Sequence, residues 1–532
     1  MGGDKKLIKV NQSSLRDHQK IRRNFYIESH NIYELFNTRV KSNPKKIFVI
    51  FPGLNKTFLY EDLNKHIIEK SIYLSQKGIT KGERISLILP TSPDFLVLYF
   101  AALKQGITVV PINPDLSSSE IAYIINDAQA KVVFYNGQLA EKLSGIQNHF
   151  DLTKVKFTNV SAIRTTDTQI ETKAANLHYT DEAVVIYTSG TTGNPKGVIL
   201  NHLNLLADSQ VIAQWFNFTV DTRTLCILPL FHNNGQVITL LAPLYAGGST
   251  VMVPPKTSLG LFWSLVDKYK VHWTSVMPSI LSILLSLKFK RRDDSLTGII
   301  CGGQILNEEV KTKFESTFKV PIFEGYGLTE TTSFACFNEF PENNKRGSVG
   351  RALSCNDIAI FDENDKEKAT GKKGEICIRG LNVMNEYFGL GQVNINSLRG
   401  GWFHSGDYGY IDSAGYVYFG TRKDYLIIRG GENIYPSEIE NVLFAHLAVD
   451  ECAVIGIFDD LLGHEIVAFV KLNRKCTEGE LKEFLINKLA FHKHPKRIFV
   501  INELSNLADI PKGPTKKVLY RKLLEYYNQH LK

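Results

Sequence analysis

Three short stretches of this chain concentrate groups that can do chemistry. The densest is Tyr187-Thr188-Ser189-Gly190-Thr191-Thr192-Gly193-Asn194-Pro195-Lys196-Gly197. Four Ser/Thr hydroxyls, three glycines and a lysine within eleven residues make poor core. Glycines let a backbone approach an anion closely and expose its N–H groups, hydroxyls add donors, and the lysine adds charge. That is the chemistry of a phosphate cradle. It is not the GxxxxGK[ST] loop, because the lysine precedes the last glycine. The second stretch, Gly325-Tyr326-Gly327-Leu328-Thr329-Glu330, ends in a hard-oxygen ligand suited to Mg²⁺. The third, Pro511-Lys-Gly-Pro-Thr-Lys-Lys517, is rich in cations. By composition alone, Lys512, Lys516, Lys517, Arg521 and Lys522 read as a solvated basic face.

The elements that must hold these stretches alternate along the chain. Short β-branched runs (Ile47 to Phe51, Ile85 to Leu89, Thr108 to Pro111, Lys131 to Tyr135, Ala183 to Tyr187) are separated by helical patterns such as Tyr60 to Gln76 and Asp94 to Gly106. That spacing predicts βαβ units and largely parallel sheets. From about Gly347 to Phe419, short strands between Gly, Asn and Asp turns predict an antiparallel sheet or barrel. Beyond Asp424 a compact α+β unit is expected, with helices over Ser437 to Phe444 and Glu478 to Leu489 and strands over Glu451 to Gly456 and Glu465 to Leu472. The charged, Gly-flanked boundary Gly420 to Gly431 suits a hinge.

Composition narrows the class. The chain has 532 residues, 43% hydrophobic and 22% charged, which is globular and multidomain in scale. A net charge of +8 over this length suits anionic small molecules and is a weak argument for a nucleic-acid groove. Seven scattered cysteines, none spaced CxxC, read as reduced thiols of a cytoplasmic protein. The N-terminus lacks an apolar signal core, and the most apolar stretch, near Gln236 to Val253, is broken by Pro243, Gly247 and Gly248, so no transmembrane segment is expected.

The first loop resembles the signature loop of the adenylate-forming superfamily, which holds acyl-CoA synthetases, luciferases and the adenylation domains of peptide synthetases. Further motifs match in order: Gly325-Tyr-Gly-Leu-Thr-Glu330, Gly401-Trp-Phe-His-Ser-Gly-Asp407, Arg422-Lys-Asp424, Gly430-Gly-Glu-Asn-Ile-Tyr-Pro436 and Pro511 to Lys517. The likeness runs from about residue 30 to the end. It implies an α/β fold: a large N-terminal domain of two α/β sheet subdomains plus a small antiparallel barrel-like one, hinged to a small C-terminal α+β domain. The boundaries expected are a polar tail over 1–30, an adenylation domain over 31–423 and a mobile domain over 424–532.

The resemblance also implies roles. Thr188, Ser189, Gly190, Thr191, Thr192, Gly193, Lys196, Gly303, Gly325, Tyr326, Gly327, Thr329, Asp407, Arg422 and Lys517 would bind ATP or AMP. Thr191 and Glu330 would sit at Mg²⁺, Tyr326 would lay its ring on adenine, and Asp407 would accept the ribose hydroxyls. His404 reads as structural. Lys517 would be the catalytic lysine, although Lys516 stands where the family usually has glycine. Asp424 would be the hinge, and Gly430 and Gly431 would line a thiol tunnel.

For the acid, the family pattern points to His232, Asn233, Gly235, Gly302 and Gly327, with Gly235, Gly302 and Gly303 leaving room for an acyl chain or a ring. Amino-acid-activating relatives carry an aspartate near Phe231-His232-Asn233; here no acidic residue stands there, and a buried ammonium without a counter-charge is costly. The expected activity is an ATP-dependent, AMP-forming carboxylic acid–CoA ligase acting on a fatty or aryl acid. The alternatives are an acyl-AMP ligase loading the pantetheine of an acyl carrier protein and, more distantly, a non-catalytic nucleotide-binding scaffold.

Overall fold

A computed structural model of the chain describes residues 7–146, 152–163, 175–188, 194–254, 259–287, 294–340, 344–430, 432–486, 488–513 and 518–532. Two large sheets build most of it. In the first, Thr108–Pro111, Arg84–Ile88, Val132–Tyr135 and Lys156–Asn159 run parallel, and Glu182–Thr188 joins Thr108–Pro111 in parallel. The edge is antiparallel: Lys196–Asn201 folds back on Glu182–Thr188, and Glu386–Tyr387 pairs outside it. The second sheet has six consecutive parallel strands at its centre, from Ile322–Tyr326 through Gly298–Cys301, Trp273–Val276, Arg223–Cys226 and Ser249–Met252 to Ile47–Phe51, with antiparallel strands at both edges.

Parallel sheets need helices on their faces. Pro93–Gln105 and His202–Trp215 are buried on nearly all sides, and their apolar residues join the largest core cluster. Asn201 caps the second helix by accepting from the Asn204 N–H, which fixes where the strand Lys196–Asn201 stops.

Four antiparallel strands, Asn356–Phe361, Gly374–Gly380, Phe403–Ile411 and Val417–Arg422, form a separate small sheet. From Ile427 onward the chain builds its own sheet on the long hairpin Val449–Asp459/Gly463–Leu472, with core clusters on both of its faces. A short helical turn, Lys423–Tyr425, joins the two.

One expectation is corrected. Among the described residues, the N-terminal segment is not a solvated tail. Ile8–Lys9 pairs with Tyr26–Ile27, and Val10, Leu15, Ile21, Phe25 and Ile27 enter the main core. Their spacing follows neither a helical nor a strand period, because irregular chain packed on a preformed surface needs no period of its own.

Candidate active site

The cradle-like stretch sits at a hairpin. Lys196 faces Thr188 and Gly197 faces Tyr187 across its two strands. A Cβ on Gly197 would press on the Tyr187 ring at 3.0 Å, so a side chain there would have to displace that ring. Ser189, Gly190, Thr191, Thr192 and Gly193 lie outside the described residues.

The strand Ile322–Tyr326 delivers the second stretch. A Cβ on Gly325 would meet the Phe337 ring at 2.3 Å and one on Gly327 the Ser333 carbonyl at 2.2 Å, so both glycines let the chain fold back tightly. Thr329–Thr331 forms one helical turn carrying Glu330, followed by Thr332 at φ +65°, ψ −65°. A β-branched residue there is strained and needs external support. The Thr332 hydroxyl donates to the Asn382 carbonyl at 2.6 Å, and Asn233 Nδ2 donates to the carbonyls of Thr329 and Thr332. Ser333 donates to Asp208 Oδ2 at 2.6 Å. Asp208 is fully buried, and burial pushes its carboxyl up to about 7.

The small sheet supplies the third part. Asp407 and Arg422 are cross-strand partners, with Arg422 Nη1 3.4 Å from Asp407 Oδ1. The Tyr326 hydroxyl donates to Asp407 Oδ2 at 2.7 Å. The Tyr326 ring is 8% exposed and lies 5.9 Å from that of Phe419. Behind Asp407, Glu375 Oε1 accepts from the Gly406 N–H at 3.0 Å, and its other oxygen lies 3.1 Å from His404 Nδ1. Burial opposes ionisation of Glu375, but the His404 ring holds its carboxyl below the usual range. His404 thus supports the Asp407 turn. Cys377 Sγ completes a compact group with these two, and Arg399 lies 3.7 Å from Glu375.

Glu330 joins these parts. Its Oε1 accepts from the Tyr387 hydroxyl at 2.7 Å, its carbonyl accepts from the Met384 N–H at 2.7 Å, and Lys196 Nζ lies 5.4 Å from the Tyr387 ring centre. Tyr387, Asn382, Asp208 and Glu375 were not singled out by the sequence reading. Each acts through a contact distant in the chain, and no local pattern marks it.

On the acid side, two expectations change. A Cβ on Gly235 would meet the Pro229 and Leu228 carbonyls at 2.6 and 2.9 Å, and one on Gly302 would meet the Phe334 ring at 2.5 Å. The space beside both glycines is filled by the chain itself. Gly303, at φ +85°, has nothing within 4 Å among the described residues. Asn233 turns its amide to the Glu330 turn, and His232 is half-buried beside Phe231. The helix that follows includes an i→i−5 bond from the Ala242 N–H to Val237, a local widening common at functional sites.

In the C-terminal unit, Asp424 is exposed within the Lys423–Tyr425 turn. Gly430, at φ +58°, turns the hairpin Ile427–Arg429/Glu432–Ile434; Gly431 lies outside the described residues. Lys516 and Lys517 lie outside them too. The base of their loop is closed by a bridge between Lys512 and Val518 and by the Leu519 N–H to Pro511 carbonyl bond of 2.8 Å. Tyr520, just beyond, lies 4.5 Å ring to ring from Tyr425 and donates to the buried Glu440 at 3.0 Å.

Residues 36–388 match the AMP-binding enzyme family, and residues 438–508 match the AMP-binding enzyme C-terminal domain. The chain belongs to the AMP-binding enzymes. A long-chain-fatty-acid–CoA ligase of Bacillus subtilis (strain 168) is 31% identical, over 92% of this chain and 93% of its own length. A sulfoacetate–CoA ligase of Cupriavidus necator is 32% identical, over 92% and 97%. The o-succinylbenzoate CoA synthetase of Bacillus subtilis, solved with its acyl-adenylate intermediate, superposes with a TM-score of 0.82 at 28% identity, over 92% of this chain and 97% of that one. A second structure of that synthetase holds ATP and a magnesium ion, with a TM-score of 0.81 at 26% identity, over 92% and 98%. This AMP-binding enzyme is of the same class, an AMP-forming acid–CoA ligase with the fold its motifs implied. No helix among its described residues is long and apolar enough to cross a membrane.

Proposed function

We propose that this AMP-binding enzyme condenses a carboxylic acid without an α-ammonium group with ATP and then passes the acyl group to CoA. In the first half-reaction a carboxylate oxygen attacks the α-phosphorus, the bond to the bridging oxygen breaks and pyrophosphate leaves. In the second the CoA sulfur attacks the acyl carbonyl and AMP leaves. The observation that carries the reading is a pair of linked groups: Tyr326, Asp407 and Arg422 meet in one, Glu330, Tyr387 and Lys196 in the other, and the charges of Glu330 and Arg422 act on each other.

In this assignment Lys196 and residues Ser189 to Gly193 hold the phosphates, with Thr188 at the hairpin base. Asp407 takes the ribose hydroxyls, Arg422 adds a cation beside them, and Tyr326, with Gly303, Gly325, Gly327 and Thr329, walls the nucleotide. Glu330 presents a carboxylate with one oxygen already fixed by Tyr387, a donor set that fits a hard cation, and Glu330 with Thr191 would hold Mg²⁺. Bound there, Mg²⁺ supplies positive charge to the pyrophosphate leaving group. Lys517 sets its ammonium against the carboxylate and α-phosphate, His232 lies at the acid, Asp424 is the pivot, and Gly430 and Gly431 border the path of the thiol.

The test is pyrophosphate release over a panel of fatty, aryl and short polar acids, with and without free CoA. Pyrophosphate release with acyl-CoA formation supports the reading. Adenylate formation with no transfer to free CoA, but transfer to a pantetheinylated carrier protein, replaces CoA as the acceptor.

A further inference from the structure

Tyr387 is the contact that joins the two charged groups assigned to the phosphates. Its hydroxyl meets Glu330 Oε1, and Lys196 Nζ lies near its ring. The side chain is 6% exposed, so neither partner competes strongly with water for it. Burial, then the Glu330 carboxylate, raises the phenol well above its ordinary range, so it stays a donor.

The backbone beneath Tyr387 is fixed from several directions. Asn385 and Phe388 donate to the Ile199 and Gly197 carbonyls of the hairpin strand at 2.9 and 2.7 Å. Asn394 accepts from the Tyr387 N–H at 2.7 Å and donates to its carbonyl at 2.8 Å. Asn204 donates to the carbonyls of Leu381 and Val383. The N-terminal segment braces the chain leading into the strand Glu386–Tyr387: Gln19 Nε2 donates to the Val383 carbonyl at 2.9 Å and His18 Nε2 lies 3.0 Å from that of Met384. So many restraints on one short strand and the chain leading into it give the phenol a fixed place.

We infer that Tyr387 is a positioning residue for the metal–phosphate site: its hydroxyl holds one oxygen of Glu330 and leaves the other to face the cation. This rests on the reading of Glu330 as the metal ligand. A carboxylate free to rotate spreads over rotamers and loses affinity for a hard cation, whereas a charge-assisted hydrogen bond selects one. The Met384 N–H on the Glu330 carbonyl places the backbone of the same residue, so main chain and side chain are both held by residues 384–387.

The test is Tyr387→Phe, which keeps the ring near Lys196 and removes only the donor. Mn²⁺ affinity is read by electron paramagnetic resonance, with α,β-methylene-ATP bound, for wild type, Tyr387→Phe, Glu330→Gln and the double variant. The Mg²⁺ dependence of ATP–pyrophosphate exchange is read in parallel. Expected is a roughly tenfold weaker Mn²⁺ affinity in Tyr387→Phe, a matching rise in the Mg²⁺ requirement and an unchanged KM for the acid. In the Glu330→Gln background the same change should add less than about twofold, because the two residues act as one unit. Unchanged Mn²⁺ affinity in Tyr387→Phe while Glu330→Gln loses it overturns the positioning role alone. Equal losses from Tyr387→Phe in both backgrounds also overturn it, as a general structural effect. Glu330→Gln binding Mn²⁺ like the wild type overturns the inference together with the metal assignment it rests on.

Discussion

Tyr326 and Asp407, 81 residues apart in the chain, meet through a 2.7 Å hydrogen bond between a buried phenol and a carboxylate. Tyr326 ends a strand of the second large sheet and Asp407 lies mid-strand in the small antiparallel sheet. The bond therefore fixes the small sheet against the large one at the place we assign to the nucleotide. Tyr326→Phe should keep the fold and raise the KM for ATP by about tenfold, with a smaller change in kcat, because the donor to a charged acceptor is lost. AMP affinity by calorimetry checks it; an unchanged affinity would separate Asp407 from the ribose.

Lys517→Ala should slow adenylate formation by about 10²–10³-fold, the usual cost of removing one group that stabilises developing charge. Lys516→Ala should stay within a few-fold of wild type. ATP–pyrophosphate exchange measures both. The reverse pattern would move the catalytic role one residue back. Acyl transfer to CoA from supplied acyl-adenylate should survive in Lys517→Ala.

The turn Lys423–Tyr425 is the only backbone link between the small antiparallel sheet and the C-terminal one. Asp424→Pro would fix φ near about −65° there and remove an N–H. If two orientations of the C-terminal unit serve the two half-reactions, one should persist and the other fall; adenylation is expected to persist. Pyrophosphate exchange and thioester formation, assayed separately, decide this. Equal effects on both would make residue 424 an ordinary linker position.

Asp208 and Glu440 are both fully buried, and burial raises each carboxyl to about 7. A carboxyl whose folded pKa lies above its unfolded value holds its proton more tightly in the native state. Its contribution is therefore complete below the unfolded pKa and is lost as pH rises toward about 7. Each such group costs about 1.4 kcal/mol per pH unit across that window. Thermal stability should thus fall from about pH 4 to about pH 7 and level off above it. Asp208→Asn should flatten part of that slope and leave the share due to Glu440. Scanning fluorimetry over that range checks it; an unchanged slope would show that Asp208 does not titrate there.

The sequence by itself determined the elements and the reaction class. Short β-branched runs located strands such as Ile47–Phe51 and helical patterns located helices such as Tyr60–Gln76, because residue type and spacing follow the backbone geometry of each element. The motif residues Lys196, Tyr326, Glu330, Asp407 and Arg422 were legible because they stand in ordered motifs that resemble those of the adenylate-forming superfamily. What only the tertiary structure decided was direction and partnership. The missing Cβ of Gly235 and Gly302 faces the protein's own backbone and a phenyl ring rather than open space, which residue type cannot reveal. Asn233 turns toward the Glu330 turn, the segment from Leu7 to His30 packs as part of the large domain, and Tyr387 reaches Glu330 across 57 residues of chain. These contacts are set by how the sheets pack, and packing couples residues by distance in space, for which a linear pattern carries no signal.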